Sequence, residues 1–217
     1  MKRALLVISL LLSGLAVQAQ AVFSTMEAEP KWTFGVRAGV NLPWMQVIDR
    51  KNRGMRVGYH AGLVADYGII KSIHLKTGVL LSQKGFSDTP TTRRAGAVVS
   101  YKRKGTPLYI EVPVLGSYRY SMSRHVQFQA DLGPYFAYGV GGKMEVTFDD
   151  GVGNQSPDYF GSESSYRRFD VGVQVGAGLK VSILYLGVAF QGGLFNINTG
   201  TSKLFNNNLM FSLGADI

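Results

Sequence analysis

The feature that most constrains this chain is a strict two-residue alternation. It recurs in eight stretches, broken by connectors of unequal length. In the first stretch Phe34, Val36, Ala38, Val40 and Leu42 fall on one face and Thr33, Gly35, Arg37, Gly39 and Asn41 on the other. Side chains alternate across a strand, so this period marks half-apolar β-strands rather than amphipathic helices. The pattern returns over 57–67, 73–82, 108–119, 126–138, 169–180, 184–191 and 209–217. The connectors 43–56, 87–107, 141–167 and 196–207 are long, whereas 68–72, 121–124 and 182–183 are short. An even strand count with that asymmetry predicts an all-β, eight-stranded antiparallel up-and-down transmembrane β-barrel. Its long loops would be extracellular, and its tight turns and both termini periplasmic. Each stretch has about the 9–11 residues that a tilted strand needs to cross a bilayer.

The start of the chain agrees with export. Lys2 and Arg3 precede the apolar run 4–12, and Val17-Gln18-Ala19 sets small residues ahead of a cut before Gln20. That is the layout of a secretory signal peptide. The chain divides accordingly into a signal peptide over 1–19, a short periplasmic lead-in over 20–31 and a barrel domain over 32–217. There is no cysteine, which excludes disulfides, thiolate metal sites and a lipoprotein anchor. The formal charge of +9, or +7 without Lys2 and Arg3, would point to nucleic acid in a cytosolic chain. Behind a leader, such cations meet lipid phosphates instead. The expected location is the cell outer membrane after Sec-type export, and nucleic acid is excluded as a partner.

Alternation alone does not orient a barrel. A secreted soluble barrel would turn its apolar face inward and clothe the other face in Lys, Glu and Thr. Here the second face is rich in glycine with sparse mixed charge (Gly35, Gly39, Gly58, Gly62, Gly172, Gly176, Gly178), which suits a crowded lumen. Tyr67, Tyr118, Tyr138 and Phe169 stand near strand ends, where interfacial aromatic girdles lie. The inward face would carry Arg37, His60, Asp66, His74, Lys76, Glu111, Arg119, Asp131, Asp170, Lys180 and Asp216. Charges in a narrow low-dielectric interior must pair, so these residues are expected to form a structural lumen network. Tight hairpins would set Asp66 against His74 and Gln174 against Gln191, with Arg37 reaching Glu111 or Asp131 across the lumen.

The loops carry the remaining chemistry, because barrel scaffolds present loops to partners. Arg50, Lys51, Arg53 and Arg56 in the first loop, and Arg93, Arg94, Lys102, Arg103 and Lys104 in the second, are expected to contact lipopolysaccharide phosphates. The third mixes Glu145, Asp149, Asp150, Asp158 and Glu163 with Tyr159, Phe160 and Tyr166, and is expected to meet an envelope protein. His60, His74 and His125 belong to no local Ser–His motif, so no catalytic residue is assigned. The tract Gly139-Val140-Gly141-Gly142-Lys143 lacks the strand–loop–helix setting and Lys-Ser/Thr ending of a phosphate loop, and reads as a strand end. No cofactor and no metal are implied.

Three groups of residues also carry a resemblance: Phe34-Gly35-Val36-Arg37-Ala38-Gly39-Val40-Asn41, Leu75-Lys76-Thr77-Gly78-Val79-Leu80-Leu81-Ser82-Gln83-Lys84-Gly85, and Tyr109-Ile110-Glu111-Val112-Pro113 with Asp131-Leu132-Gly133-Pro134-Tyr135. The chain resembles the PorT-like outer-membrane β-barrel family, of the porin-family small barrels. The resemblance implies a barrel over the mature chain in a Gram-negative envelope and leaves the role open. The expected function is that of a monomeric small barrel with a structural or interaction role, presenting loops to envelope lipid or protein. The alternatives are a narrow porin-like or secretion- or transport-accessory barrel and, third, a lipid-modifying outer-membrane enzyme.

Overall fold

A computed structural model of the chain describes residues 31–47, 54–94, 97–148, 153–162, 164–200 and 203–217; the side chains of 92–98 lie outside that description. The expected signal peptide over 1–19, the expected lead-in up to residue 30, Arg50, Lys51, Arg53, Asp149, Asp150 and Glu163 also lie outside it. Twelve strands are present among the described residues. In chain order they are β1 (Trp32–Val47), β2 (Gly58–Ile70), β3 (Ile73–Gln83), β4 (Phe86–Asp88), β5 (Thr91–Arg94), β6 (Ala97–Gly105), β7 (Leu108–Ser121), β8 (Val126–Gly141), β9 (Met144–Phe148), β10 (Phe169–Val181), β11 (Leu184–Gly193) and β12 (Leu204–Asp216).

Eight of them close an antiparallel barrel in the order β1-β12-β11-β10-β8-β7-β3-β2, each paired to its neighbour in the meander. Closure comes where β1 meets β12, with Val36 opposite Ala215 and Val40 opposite Phe211. Burial follows the expected parity. Leu63, Leu132, Leu186 and Leu213 are exposed on the outside, Leu186 keeping 64% of its surface open, while Lys84, Glu111 and Asp170 inside keep none. Such an apolar exterior around a charged interior suits lipid and not water. Aromatic side chains ring both edges of this belt. Trp32, Tyr118 and Tyr120 are exposed at the turn end, and Tyr59, Tyr138 and Phe169 at the loop end.

Two expectations about the strands are corrected. They are longer than the alternation suggested, β1 and β8 reaching 16 residues each. The reason is that inward parity persists past Leu42 through Met45 and Val47, which are buried although they belong to the expected connector. The second connector is also not a loop. β4, β5 and β6 form antiparallel pairs there, and β9 from the third connector adds to β6, with Lys104 opposite Glu145. This small sheet rises at the loop end. Beneath it Met45, Phe86, Tyr109, Tyr135, Tyr159 and Phe160 pack into an apolar plug. The molecule's one large apolar cluster among the described residues therefore sits inside the loop end of the barrel.

Small residues on the inner face make room for large ones. The Tyr185 ring lies across Gly178 and Gly187; a Cβ at Gly178 would stand 2.6 Å from it. The turn 182–183 places Ser182 at φ 56, the left-handed region that a tight hairpin requires.

Candidate functional site

Parity alone directs the network residues inward, and cross-strand register decides who meets whom. In the turn-end half, Arg37 on β1 pairs with Asp216 on β12 at 2.5 Å, and Lys180 on β10 reaches the other oxygen at 3.4 Å. The Arg37 guanidinium also lies 3.9 Å from the Tyr185 ring centre. Arg119 pairs with Asp66 at 2.9 Å. Lys76 pairs with Asp131 at 2.7 Å and donates to Gln129, while the Ser117 hydroxyl donates to the second Asp131 oxygen.

Toward the loop end, Lys84 is fully buried. It lies 3.0 Å from Glu111 and 3.5 Å from Asp170, with its ammonium 4.1 Å from the Tyr135 ring centre. Asn206 and the Tyr135 hydroxyl donate to Asp170, and Gln191 donates to Glu111 and Gln174. Counting Lys84 and Asp216, five cations face five carboxylates in the described lumen, and their formal charges cancel.

The structure thus brings together Arg37, Asp66, Lys76, Glu111, Arg119, Asp131, Asp170 and Lys180, but several expected pairings are corrected. Asp66 stands opposite Lys76, and His74 opposite Gly68, because β2 runs on to Ile70 and the turn closes at 71–72, with a one-residue register shift between Gly68 and Ile70. Arg37 finds Asp216 on the adjoining strand, so it does not reach across to Glu111 or Asp131. The Gln174–Gln191 pair forms as expected, at 2.9 Å. His74 sits half-buried at the turn end. Lys84 was missed because the third stretch was ended at Ser82; the signal was its parity, which continues 76, 80 and 82 inward.

His60 faces inward, as its parity implies. Its Nδ1 lies 2.8 Å from Asn41 Oδ1 and its Nε2 3.0 Å from Ser212 Oγ, so β1, β2 and β12 converge on an Asn–His–Ser chain absent from any local motif. A nucleophile needs room for a substrate carbonyl about 3 Å away. The neighbouring mid-lumen cavity, lined by Arg37, Lys76, Tyr185 and Ser212, measures about 50 Å³, room for little more than a water molecule. The chain is a hydrogen-bonded tie across the closing strands.

At the loop end, Lys102 is exposed and Lys104 half-buried, while the side chains of Arg93 and Arg94 lie outside the description. Arg103 does not present a free charge. It grips Asp88 through two bonds of 3.1 and 2.6 Å and lies over Phe86, and the Asp88 hydrogen bond holds its pKa above the ordinary value. Arg56 donates to the Gly105 carbonyl; burial lowers its pKa, opposed by Glu145. Tyr159 and Phe160, expected to meet a partner, are instead buried in the plug. A plainly aromatic loop above an eight-stranded barrel has its own lumen as the nearest apolar refuge. Beside them opens a polar cavity of about 650 Å³, lined by Arg103, Asp158, Ser164, Ser165, Tyr166 and Asn198 among others. No cluster of three or more His, Asp or Glu side chains suited to a metal occurs among the described residues.

Comparison with known proteins agrees with this geometry. Residues 18–198 match the outer membrane protein beta-barrel domain family. Similar solved structures include Ail, the attachment invasion locus protein of Yersinia pestis, at 13% identity over 88% of this chain and 100% of that one, with a TM-score of 0.45. Neisserial surface protein A is 12% identical over 84% and 96%, with a TM-score of 0.42. OprG from Pseudomonas aeruginosa is 12% identical over 88% and 99%, also at 0.42. No curated protein matches the chain.

Proposed function

The chain belongs to the outer membrane protein beta-barrel domain family, and from that premise we propose that this small outer-membrane barrel is an interaction scaffold whose loop end engages lipopolysaccharide. The observation that carries the reading is the division of charge. The lumen is packed and neutral, whereas Lys102, Lys143, Arg167, Arg168 and Lys203 stand exposed at the loop end. Lysine and arginine on an envelope surface attract lipid phosphates, and the polar cavity beside Ser164, Ser165 and Asn198 offers donors and acceptors suited to sugar hydroxyls. The family's usual topology puts the long connectors outside and the tight turns in the periplasm. The finer likeness to PorT-like barrels rests on the strand motifs described above and is consistent with this role. The reading assigns no catalytic residue.

The test is co-sedimentation of the refolded barrel with lipopolysaccharide at several salt concentrations. Reversing Lys102, Lys143 and Lys203 to Glu weakens association and flattens its salt dependence, at about 1 kcal/mol per cation removed. Unchanged association refutes the reading.

A further inference from the structure

The turn end holds a second charged feature that the loop-end role does not use. A cup of about 330 Å³ opens there between the tight turns. Its walls bring together Lys31 ahead of β1, Lys71 in the β2–β3 turn, Arg119 on β7, Arg124 in the β7–β8 turn and Lys180 on β10. No carboxylate of a described residue lines it. Asp66 and Asp216 lie deeper and hold Arg119 and Lys180, so two of the five charges are compensated. Lys31, Lys71 and Arg124 form no ion pair with any described residue. Arg119 is 93% buried by its 7% exposure, and its Nε has no hydrogen-bond partner among the described residues. Ser121, Ser182 and Thr33 add hydroxyl donors around the same space.

We propose that this cup binds a phosphate group, carried by the headgroup of a glycerophospholipid in the adjoining leaflet. A concave site with one sign of charge focuses field, and a guanidinium fork with hydroxyls around it matches the several oxygens of a phosphate. The volume exceeds that of a bare phosphate and leaves room for a glycerol unit. Just outside, Met122, Ile183 and Ile217 are exposed apolar residues at the same end, where acyl chains would lie. A soluble phosphate ester offers the same chemistry without the chains, and the experiment separates the two sources.

The mature chain is refolded in dodecyl maltoside, which carries no phosphate. Native mass spectrometry reads retention of phosphatidylglycerol against diacylglycerol with the same chains, and calorimetry reads glycerol 3-phosphate. Lys71→Glu with Arg124→Glu changes two turn residues, and a retained heat-shift on gels shows that this variant folds. Selective retention of phosphatidylglycerol, weakened about thirtyfold or more in the variant, is the expected result; the figure converts roughly 1 kcal/mol per cation for two cations. Binding of glycerol 3-phosphate without lipid preference keeps the phosphate site and overturns the lipid source. No preference in either assay, or binding equal in the variant, overturns the site. Lys102→Glu leaves all three readings unchanged, so failure here is separable from failure of the lipopolysaccharide role at the opposite end.

Discussion

Lys84 shows how a single residue organises the upper lumen. It touches two carboxylates and an aromatic face with no exposure to water. Removing one partner from a buried charge group leaves the others uncompensated, at about 3–5 kcal/mol. Lys84→Met is therefore expected to lower the unfolding free energy of the micelle-refolded barrel, read from urea titration, by that order, and adding Glu111→Gln recovers part of the loss. Equal stability of Lys84→Met and the native chain would mean that Glu111 and Asp170 are satisfied by Gln191, Asn206 and Tyr135 alone. Residue type and parity made most inward charges legible beforehand, among them Arg37, Lys76 and Asp131. Their partners were not, because pairing depends on register, and a register shift at Gly68–Ile70 alters the neighbour of every charge on β3.

Among the elements, the β4–β5–β6 extension with β9 was the least legible. Its segments are short, and charged residues such as Lys102, Arg103 and Lys104 interrupt any apolar face, so they read as loop. What holds them is pairing to one another and the plug below. Gly105 is the joint: a Cβ there would stand 2.7 Å from both the Phe86 and Tyr159 rings. Gly105→Val overfills that contact, at about 1–3 kcal/mol. The expected result is faster proteolysis within 153–162 while the barrel keeps its heat-modifiable mobility. If the 153–162 cleavage rate does not change, the sheet does not brace the plug. The eight barrel strands, by contrast, were legible from alternation because each has lipid on one side and a crowded lumen on the other. Their loop ends were underestimated most, where the outward residue no longer has to be apolar; at the turn end β2 also runs past Tyr67 to Ile70.

At the scale of the molecule, the chain's excess of positive charge has a location. Since the described lumen cations and carboxylates cancel, the surplus of the described residues collects at the two rims, on either side of an uncharged belt. The same packing predicts the electrical behaviour: with a mid-lumen cavity of about 50 Å³ and an apolar plug above it, planar bilayers containing the barrel are expected to show no stepwise conductance. Discrete steps would favour the narrow-pore alternative. Overall shape was readable from the sequence through connector lengths, whereas the plug was not, since nothing local in Tyr159 or Phe160 says that a loop folds back into its own barrel.

The seam between β1 and β12 has a consequence of another kind. Phe34 and Ile217 exchange two backbone hydrogen bonds, of 3.0 and 2.7 Å, so the ladder runs on where the described chain stops. The strand order is a cycle, and the place where translation begins on that cycle is a convention of the gene. A linker across the seam and an opening at 182–183 would yield a circular permutant with every rung, lumen pair and outward face retained.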